Sequence, residues 1–476
     1  MSAFADDAKV LRDDKMPASS PPAQRSNGKP APLSRESEKT EWRGVVYACA
    51  ATALSDLTFG MIAPFFPNAA LARGVSQSVV GAIFAVQALG VCVGSILAPS
   101  YALERLGAFG ALRLATLAQA LFTAAFCLVD RMSTAVPFAA ACLAVRLLQG
   151  LACGLTETAA ASLAMRSVPD RLLGDVFAWV AAARALGAVS GPPVGGAAFD
   201  WRGFAAPFTI AGGLLGALGL LMLVAGVRAG SAGGAGGPPS TGMGALLRVP
   251  GVVPALLSMH TALAALNFLM PTLQPFFHTA FALSSTQIGL AFLGVAVAYG
   301  AAIGASGPLS RAAGEAPQMV LGLALIALGY LLLGPSPILA RWLPQTLAGS
   351  LGALAVGAAG MAMAMVPSTP LMIAAVSAWA AGDADRKQRA IDGLAALATV
   401  AGSLGGVTGP ALGGVLMQYL SFPGATSCFA ALPVALVPLL LPYIHLRAAG
   451  AAQEEVIASR RRSSTTGGLG GSGVLL

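Results

Sequence analysis

Charge is scarce in this chain. Asp, Glu, Lys and Arg make up 10% of its 476 residues. A soluble domain carries about 25% charged residues, so an ordinary water-facing fold is excluded. Histidine is scarcer still: the three copies, His260, His278 and His445, are not clustered. There is no nucleotide loop, no H-E-x-x-H and no Gly-x-Ser-x-Gly in a suitable context. The chain therefore reads as no enzyme, with no cofactor and no metal. The six cysteines (49, 92, 127, 142, 153 and 428) fall in apolar stretches without metal-ligand spacing or a loop partner. They read as reduced, buried thiols behaving as small hydrophobes.

What is present instead is length of apolar chain. Hydrophobic residues are 56% of the sequence and the mean hydropathy is +0.76. They come in runs of about 20 residues, enough for a helix to cross a bilayer. About twelve such runs lie between residues 44 and 446, the hardest to bound being the stretch 367–390, where Pro367 and Pro370 interrupt the pattern. Backbone polar groups must be satisfied internally in lipid, so a helical bundle follows.

A ten-residue pattern, G-x-x-x-G-P-x-x-G-G, occurs at Gly187–Gly196 and again at Gly405–Gly414, 218 residues on. Gly187, Gly191 and Gly195, like Gly405, Gly409 and Gly413, recur every four residues and make a flat helix face for close packing. Pro192 and Pro410 each remove one backbone bond and permit a bend. Pro64-Phe65-Phe66 returns as Pro275-Phe276-Phe277, and Gly81-Ala82-Ile83-Phe84 as Gly289-Leu290-Ala291-Phe292. Six spans separate the copies, so both run in the same direction. The fold class is an all-α membrane protein: twelve transmembrane helices in two parallel six-helix repeats. The expected boundaries are a disordered tail at 1–43, a first half at 44–228, a Gly/Pro-rich linker at 229–250, a second half at 251–447 and a disordered tail at 448–476.

The net charge of +8 is no sign of nucleic-acid binding. Lys and Arg concentrate in the tails and even-numbered loops, against four (Arg73, Arg131, Arg202, Arg341) in the odd-numbered loops. By the positive-inside rule both termini face the cytosol, in a vesicle, vacuole or plasma membrane.

The twelve spans, parallel halves and glycine pattern in span five resemble the major facilitator superfamily and its antiporter branch. Arg146-Leu147-Leu148-Gln149-Gly150 resembles that superfamily's R-x-x-Q-G motif. Glu104-Arg105-Leu106-Gly107 matches part of its loop signature, but Ala108 and Phe109 stand where basic residues are usual. A narrower resemblance, to the vesicular amine transporters and their polyamine-transporter-like branch, rests on several segments. They are Ala63–Ala69 with Arg73–Ser76, Gly191–Gly196, Leu333–Leu339 and Val366–Pro370. It implies proton-coupled exchange of organic cations. That family has a carboxylate before a proline in span seven; here the place reads Leu269-Met270-Pro271.

Charges inside a bilayer cost roughly 2.5–3.5 kcal/mol each on insertion scales, so each needs a reason. Asp56, mid-span, reads as a proton or amine site, or as a structural partner for an arginine. Arg184, three residues before Gly187, balances Asp56 or holds an anionic substrate. The superfamily resemblance implies a role for Arg146 in packing or proton coupling. Glu157, about 16 Å further along the same helix, reads as a rim group. His260, Asn267 and Gln274, each seven apart, form one polar stripe for substrate or for helix-to-helix bonding. The repeat maps Asp56 onto Asn267. Phe65, Phe66, Phe276, Phe277, Trp179 and Trp379 offer either cation-binding faces or core. The expected function is secondary active transport of a small organic solute, an amine or polyamine, by proton antiport in a monomer. An organic anion or neutral drug-like solute is the rival, and a non-transporting sensor a distant third.

Overall fold

The computed structural model describes residues 42–225, 243–334, 336, 337, 339–380 and 382–466. Nearly all of the expected N-terminal tail, most of the linker and the end of the C-terminal tail lie outside the described residues. Among the described residues there is no strand.

The first half consists of α1 (Trp42–Gly60), α2 (Gln77–Ala98), α3 (Glu104–Val129), α4 (Ala135–Arg166), α5 (Leu173–Arg202) and α6 (Ala205–Val224). The second consists of α7 (Val252–Phe281), α8 (Ser285–Ala313), α9 (Glu315–Leu333), α10 (Leu347–Met365), α11 (Ala384–Tyr419) and α12 (Phe422–Thr466). Among the described residues eleven helices are long and apolar enough to cross a membrane. The twelfth, α1, misses that measure because it carries Arg43 and Asp56, yet it packs against α3, α4, α5 and α6.

Proline and glycine set the ends. α10 stops before Pro367, and a further helix, Ser368–Trp379, continues the span beyond it. Proline has no N–H for the ladder, so the interruption falls where the sequence pattern is hardest to bound. The turn after α8 is made at Gly314 (φ 98°), and in the first half Gly107 (φ 68°) breaks the backbone near the start of α3; only glycine enters this region freely. Where composition suggests a disordered tail, the α12 backbone stays helical to Thr466. The Ala-, Glu-, Gln- and Arg-rich stretch 448–462 has the propensity to continue it.

The packing repeats with the sequence. α2 lies on α4 as α8 lies on α10; α3 on α6 as α9 on α12; α1 on α5 as α7 on α11. The halves meet along two seams, α5 with α8 and α11 with α2. The chain alternates direction, so the ends of α5 and α11 and the starts of α8 and α2 share the side opposite the termini, here the far side. Both seams are closed there, backbone against backbone. A Cβ added at Gly196 would lie 2.2 Å from the Ser285 carbonyl oxygen, and one at Gly81 2.4 Å from that of Pro410. Residues 177–186 of α5, nearer the termini, are largely exposed.

Each seam also carries a polar bond at matching positions. Asp200 Oδ2 accepts from the backbone N (2.7 Å) and Oγ1 (2.6 Å) of Thr286. Gln418 Oε1 accepts from the Ser78 backbone N at 3.4 Å. The spacing of the glycine copies, 218 residues, carries Asp200 onto Gln418.

The glycine faces make the expected close contacts within each half. A Cβ at Gly187 would meet the Ala53 carbonyl oxygen at 2.0 Å and one at Gly191 that of Leu57 at 2.6 Å. In the second half the partners of Gly405 and Gly409 are the carbonyl oxygens of His260 (2.6 Å) and Ala264 (2.3 Å). These pairings relate α1 to α7 by 207 residues, whereas the Pro-Phe-Phe match gives 211. The four-residue difference is about one helical turn. It accumulates after Gly60, where turns at 61–65 interrupt the first helix while α7 runs on through Pro275-Phe276-Phe277. By packing, Asp56 therefore corresponds to Leu263 and Gly60 to Asn267, which corrects the match of Asp56 with Asn267.

Candidate functional site

Three charged side chains from three helices converge inside the first half. Arg184 on α5 donates from Nε to Asp56 Oδ2 on α1 at 3.1 Å, and from Nη2 to Glu157 Oε1 on α4 at 2.7 Å. The flat glycine face one turn beyond Arg184 lets α5 lie close enough to α1 for this reach. The acids are the more shielded members, 14% and 20% exposed at the side chain, against 44% for Arg184. Two carboxylates against one guanidinium leave a formal charge of −1.

Glu157 is thus no rim group. Distance along the helix from Arg146 places it toward the termini, but the bundle brings α1 and α5 to it there. The sequence holds a usable signal: Arg184 is a mid-span cation that one acid does not fully satisfy. Cys153 lies one turn away, and its Sγ, with Asp56 and Glu157, presents ligand atoms within 4.8 Å of one another. By distance these could hold a metal ion, but the Arg184 guanidinium already bonds both carboxylates.

Beside this trio lies a cavity of about 320 Å³ between the halves. Phe59 and Gly60 of α1, Ala185, Val189 and Pro192 of α5, Leu266, Asn267 and Met270 of α7, and Phe292 and Tyr299 of α8 are among its walls. No lining residue is charged, but Arg184 directly precedes Ala185, and Asp56 lies one turn before Gly60. A second cavity, about 410 Å³, lies between α8 and α10 and also lacks a charged group.

The other expected site residues do not join the trio. Arg146 is 1% exposed and donates to Gln149 Oε1 and the Phe59 carbonyl oxygen, both at 3.3 Å. Among the described residues no carboxylate pairs with it, and its Nε has no partner. Its guanidinium lies 5.9 Å from the Phe84 ring centroid. His260 faces α11, with Nδ1 3.4 Å from the Ala401 carbonyl oxygen and Nε2 3.3 Å from Thr408 Oγ1. Asn267 lines the cavity. Gln274 lies near the far side, where its Oε1 accepts from the Asn68 backbone N at 2.9 Å. The polar stripe of α7 is thus divided among three neighbourhoods.

The aromatic candidates are spoken for. Phe65 stacks with Phe199 and Phe66 with Phe138, both in the core. Phe276 stacks on Phe422, Trp179 packs on Trp42, and Arg386 lies over Trp379. All six cysteines are free, two of them buried and Cys428 exposed, rather than all buried.

The family model described as the Major Facilitator Superfamily matches residues 48–278 and, again, 255–467. The chain belongs to the Major Facilitator Superfamily. Among relatives within it, the human MFS-type transporter SLC18B1 is 27% identical over 429 residues, covering 88% of each chain. The synaptic vesicular amine transporter of Bos taurus is 25% identical over 300 residues, 62% of this chain and 54% of that one. Among solved structures, a bacterial homologue of the human lysosomal transporter Spinster, inward-facing and occupied, superposes with a TM-score of 0.63 at 13% identity. That match covers 87% of this chain and 98% of the other. The nucleoside transporter NupG superposes at 0.62 with 13% identity, covering 83% and 98%. At that identity the structures show the fold alone. The Major Facilitator Superfamily match makes this chain a multi-pass membrane transporter rather than an enzyme.

Proposed function

We propose that this transporter exchanges an organic cation, an amine or polyamine, for protons by alternating access. The observation that carries the reading is the charge balance beside the cavity. Asp56 and Glu157 outnumber Arg184, so the site has room for one more positive charge. A proton and an ammonium group compete for the same carboxylates, which is the elementary requirement of antiport. With the termini cytosolic, as the distribution of Lys and Arg supports, the cavity faces the cytosol and the far side faces a vesicle lumen, vacuole or exterior. The named amine specificity of the bovine relative supports the cation reading. The functional unit in this reading is the monomer.

The test is uptake into proteoliposomes under an imposed pH gradient. A radiolabelled amine should enter the acidic compartment, and collapsing the gradient should stop it. Asp56→Asn should abolish gradient-driven uptake and flatten its pH dependence while the protein stays folded. Unchanged uptake in that variant removes Asp56 from the mechanism. One observation favours a second reading: Arg184 is the most exposed member of the trio, at 44%. An organic anion that enters in place of every amine tested would establish it.

A further inference from the structure

No residue lining the cavity is charged, and charge stands beside it on one side only. It belongs to the first half, where the trio next to the Gly60 and Ala185 wall carries a formal −1. The second half faces it with Leu266, Met270, Phe292 and Tyr299. Tyr299 sends its hydroxyl to Met365 Sδ at 3.2 Å. The counterpart of Asp56 in the packed repeat is Leu263, which brings no charge. Asn267 is the polar group that α7 gives the cavity; its Nδ2 donates to the Leu263 carbonyl oxygen at 2.9 Å, and the amide brings no charge.

We propose that the lack of a second acid at position 267, where α7 brings a neutral asparagine to the cavity, restricts the substrate to a single positive charge. The cavity then takes an amphiphilic amine, with its ammonium group at Asp56 and Glu157 and an apolar body against the second half. This rests on the organic-cation reading above and narrows it. A volume of about 320 Å³ fits a small body of this kind, being near the lower end of the roughly 300–1,000 Å³ of ligand pockets. The second ammonium of a diamine, held along the cavity, would lose its water against apolar side chains and one neutral amide. A buried charge without a partner is strongly disfavoured. Asn267→Asp supplies that partner with almost no change in shape.

The experiment compares phenethylamine, 1,4-diaminobutane and spermidine in proteoliposomes under the same pH gradient. With the uptake of protein-free liposomes subtracted, because uncharged phenethylamine crosses a bilayer unaided, the wild type should prefer phenethylamine over either polyamine by at least about tenfold, the scale set by one unpaired buried charge. Asn267→Asp should shift the ratio toward 1,4-diaminobutane by at least about tenfold. Asn267→Ser, which adds no charge, should leave the ratio near the wild-type value. Wild-type uptake of spermidine as fast as phenethylamine overturns the inference and leaves amine antiport standing. So does an active Asn267→Asp variant with an unchanged ratio. If the wild type moves no amine, the antiport reading falls and takes this inference with it. Should Asn267→Asp be inactive toward all three, the wild-type preference alone decides.

Discussion

The two halves share a frame and differ in what they bury. The first places Asp56, Arg146, Glu157 and Arg184 inside its spans, while the corresponding stretch of α7 offers His260 and Asn267. Uncharged polar bonding is common to both: in the second half Gln318 donates to Ser306 and accepts from Ser310, tying α8 to α9. In the first half Ser55 donates to Gln119 Oε1 at 2.9 Å, and Gln149 donates to Thr123 Oγ1 at 3.1 Å, tying α1, α3 and α4 together. At the cavity the second half presents mainly apolar wall. Duplication therefore explains how the bundle is built, and divergence in one half explains where chemistry can occur.

The largest effect should come from taking the cation out of the trio. Arg184→Leu leaves two neighbouring carboxylates without their cation, an arrangement that buried groups tolerate poorly. Uptake should fall to background. The double variant Arg184→Leu/Glu157→Leu should recover part of it, and absence of any recovery would show that the three groups do not act as a unit. Gly402→Leu, at the matching place in α11, should leave uptake far less affected.

An intermediate effect tests the shared frame. Gly191→Leu and Gly409→Leu each drive a side chain into a neighbouring carbonyl, and overpacking costs about 1–3 kcal/mol. Both should lower the melting temperature and slow turnover to a similar degree. A large loss in one with none in the other would mean that the repeated packing has become specialised.

The smallest effect concerns the seams. Asp200 makes two short charge-assisted bonds to Thr286, whereas Gln418 makes one long neutral bond to Ser78. Asp200→Asn should shift the population toward a structure open on the far side about fivefold, equivalent to the loss of about 1 kcal/mol when a bond to a charged group (about 1.5–3 kcal/mol) becomes a neutral one (about 1 kcal/mol). Gln418→Ala should shift it less. Spin labels at Arg131 and Arg341, exposed on that side of the two halves, would report the distance by double electron–electron resonance. Equal shifts would erase the distinction between the seams.

The legible parts of the molecule were those governed by composition and period. Twenty-residue apolar runs impose spanning helices, and four-residue glycine spacing imposes close packing. The interruption near Pro367 follows from proline chemistry. The family resemblance agreed with the matched model over both halves. What the sequence did not show was convergence. Glu157 and Asp56 are 101 residues apart, and only the lateral packing of α4 against α1 and α5 brings them to one guanidinium. The match of Asp56 with Asn267 went astray for a related reason: a motif fixes an offset where it stands, and a break in the helix changes the offset on its other side. Asp200 gave no signal because an acid at a span end is ordinary until Thr286 is placed beneath it.

The far-side closure is made where glycines meet carbonyl oxygens: Gly196 at Ser285, Gly289 at Pro192, Gly81 at Pro410 and Gly414 at Gln77. Few side chains interlock at these points. Surfaces of this kind part like flat plates rather than like a zipper, since little has to change rotamer for them to separate or return. The fit then depends largely on backbone shape, and resealing asks only that a few side chains, among them Asp200, Gln418 and Gln274, find their partners again.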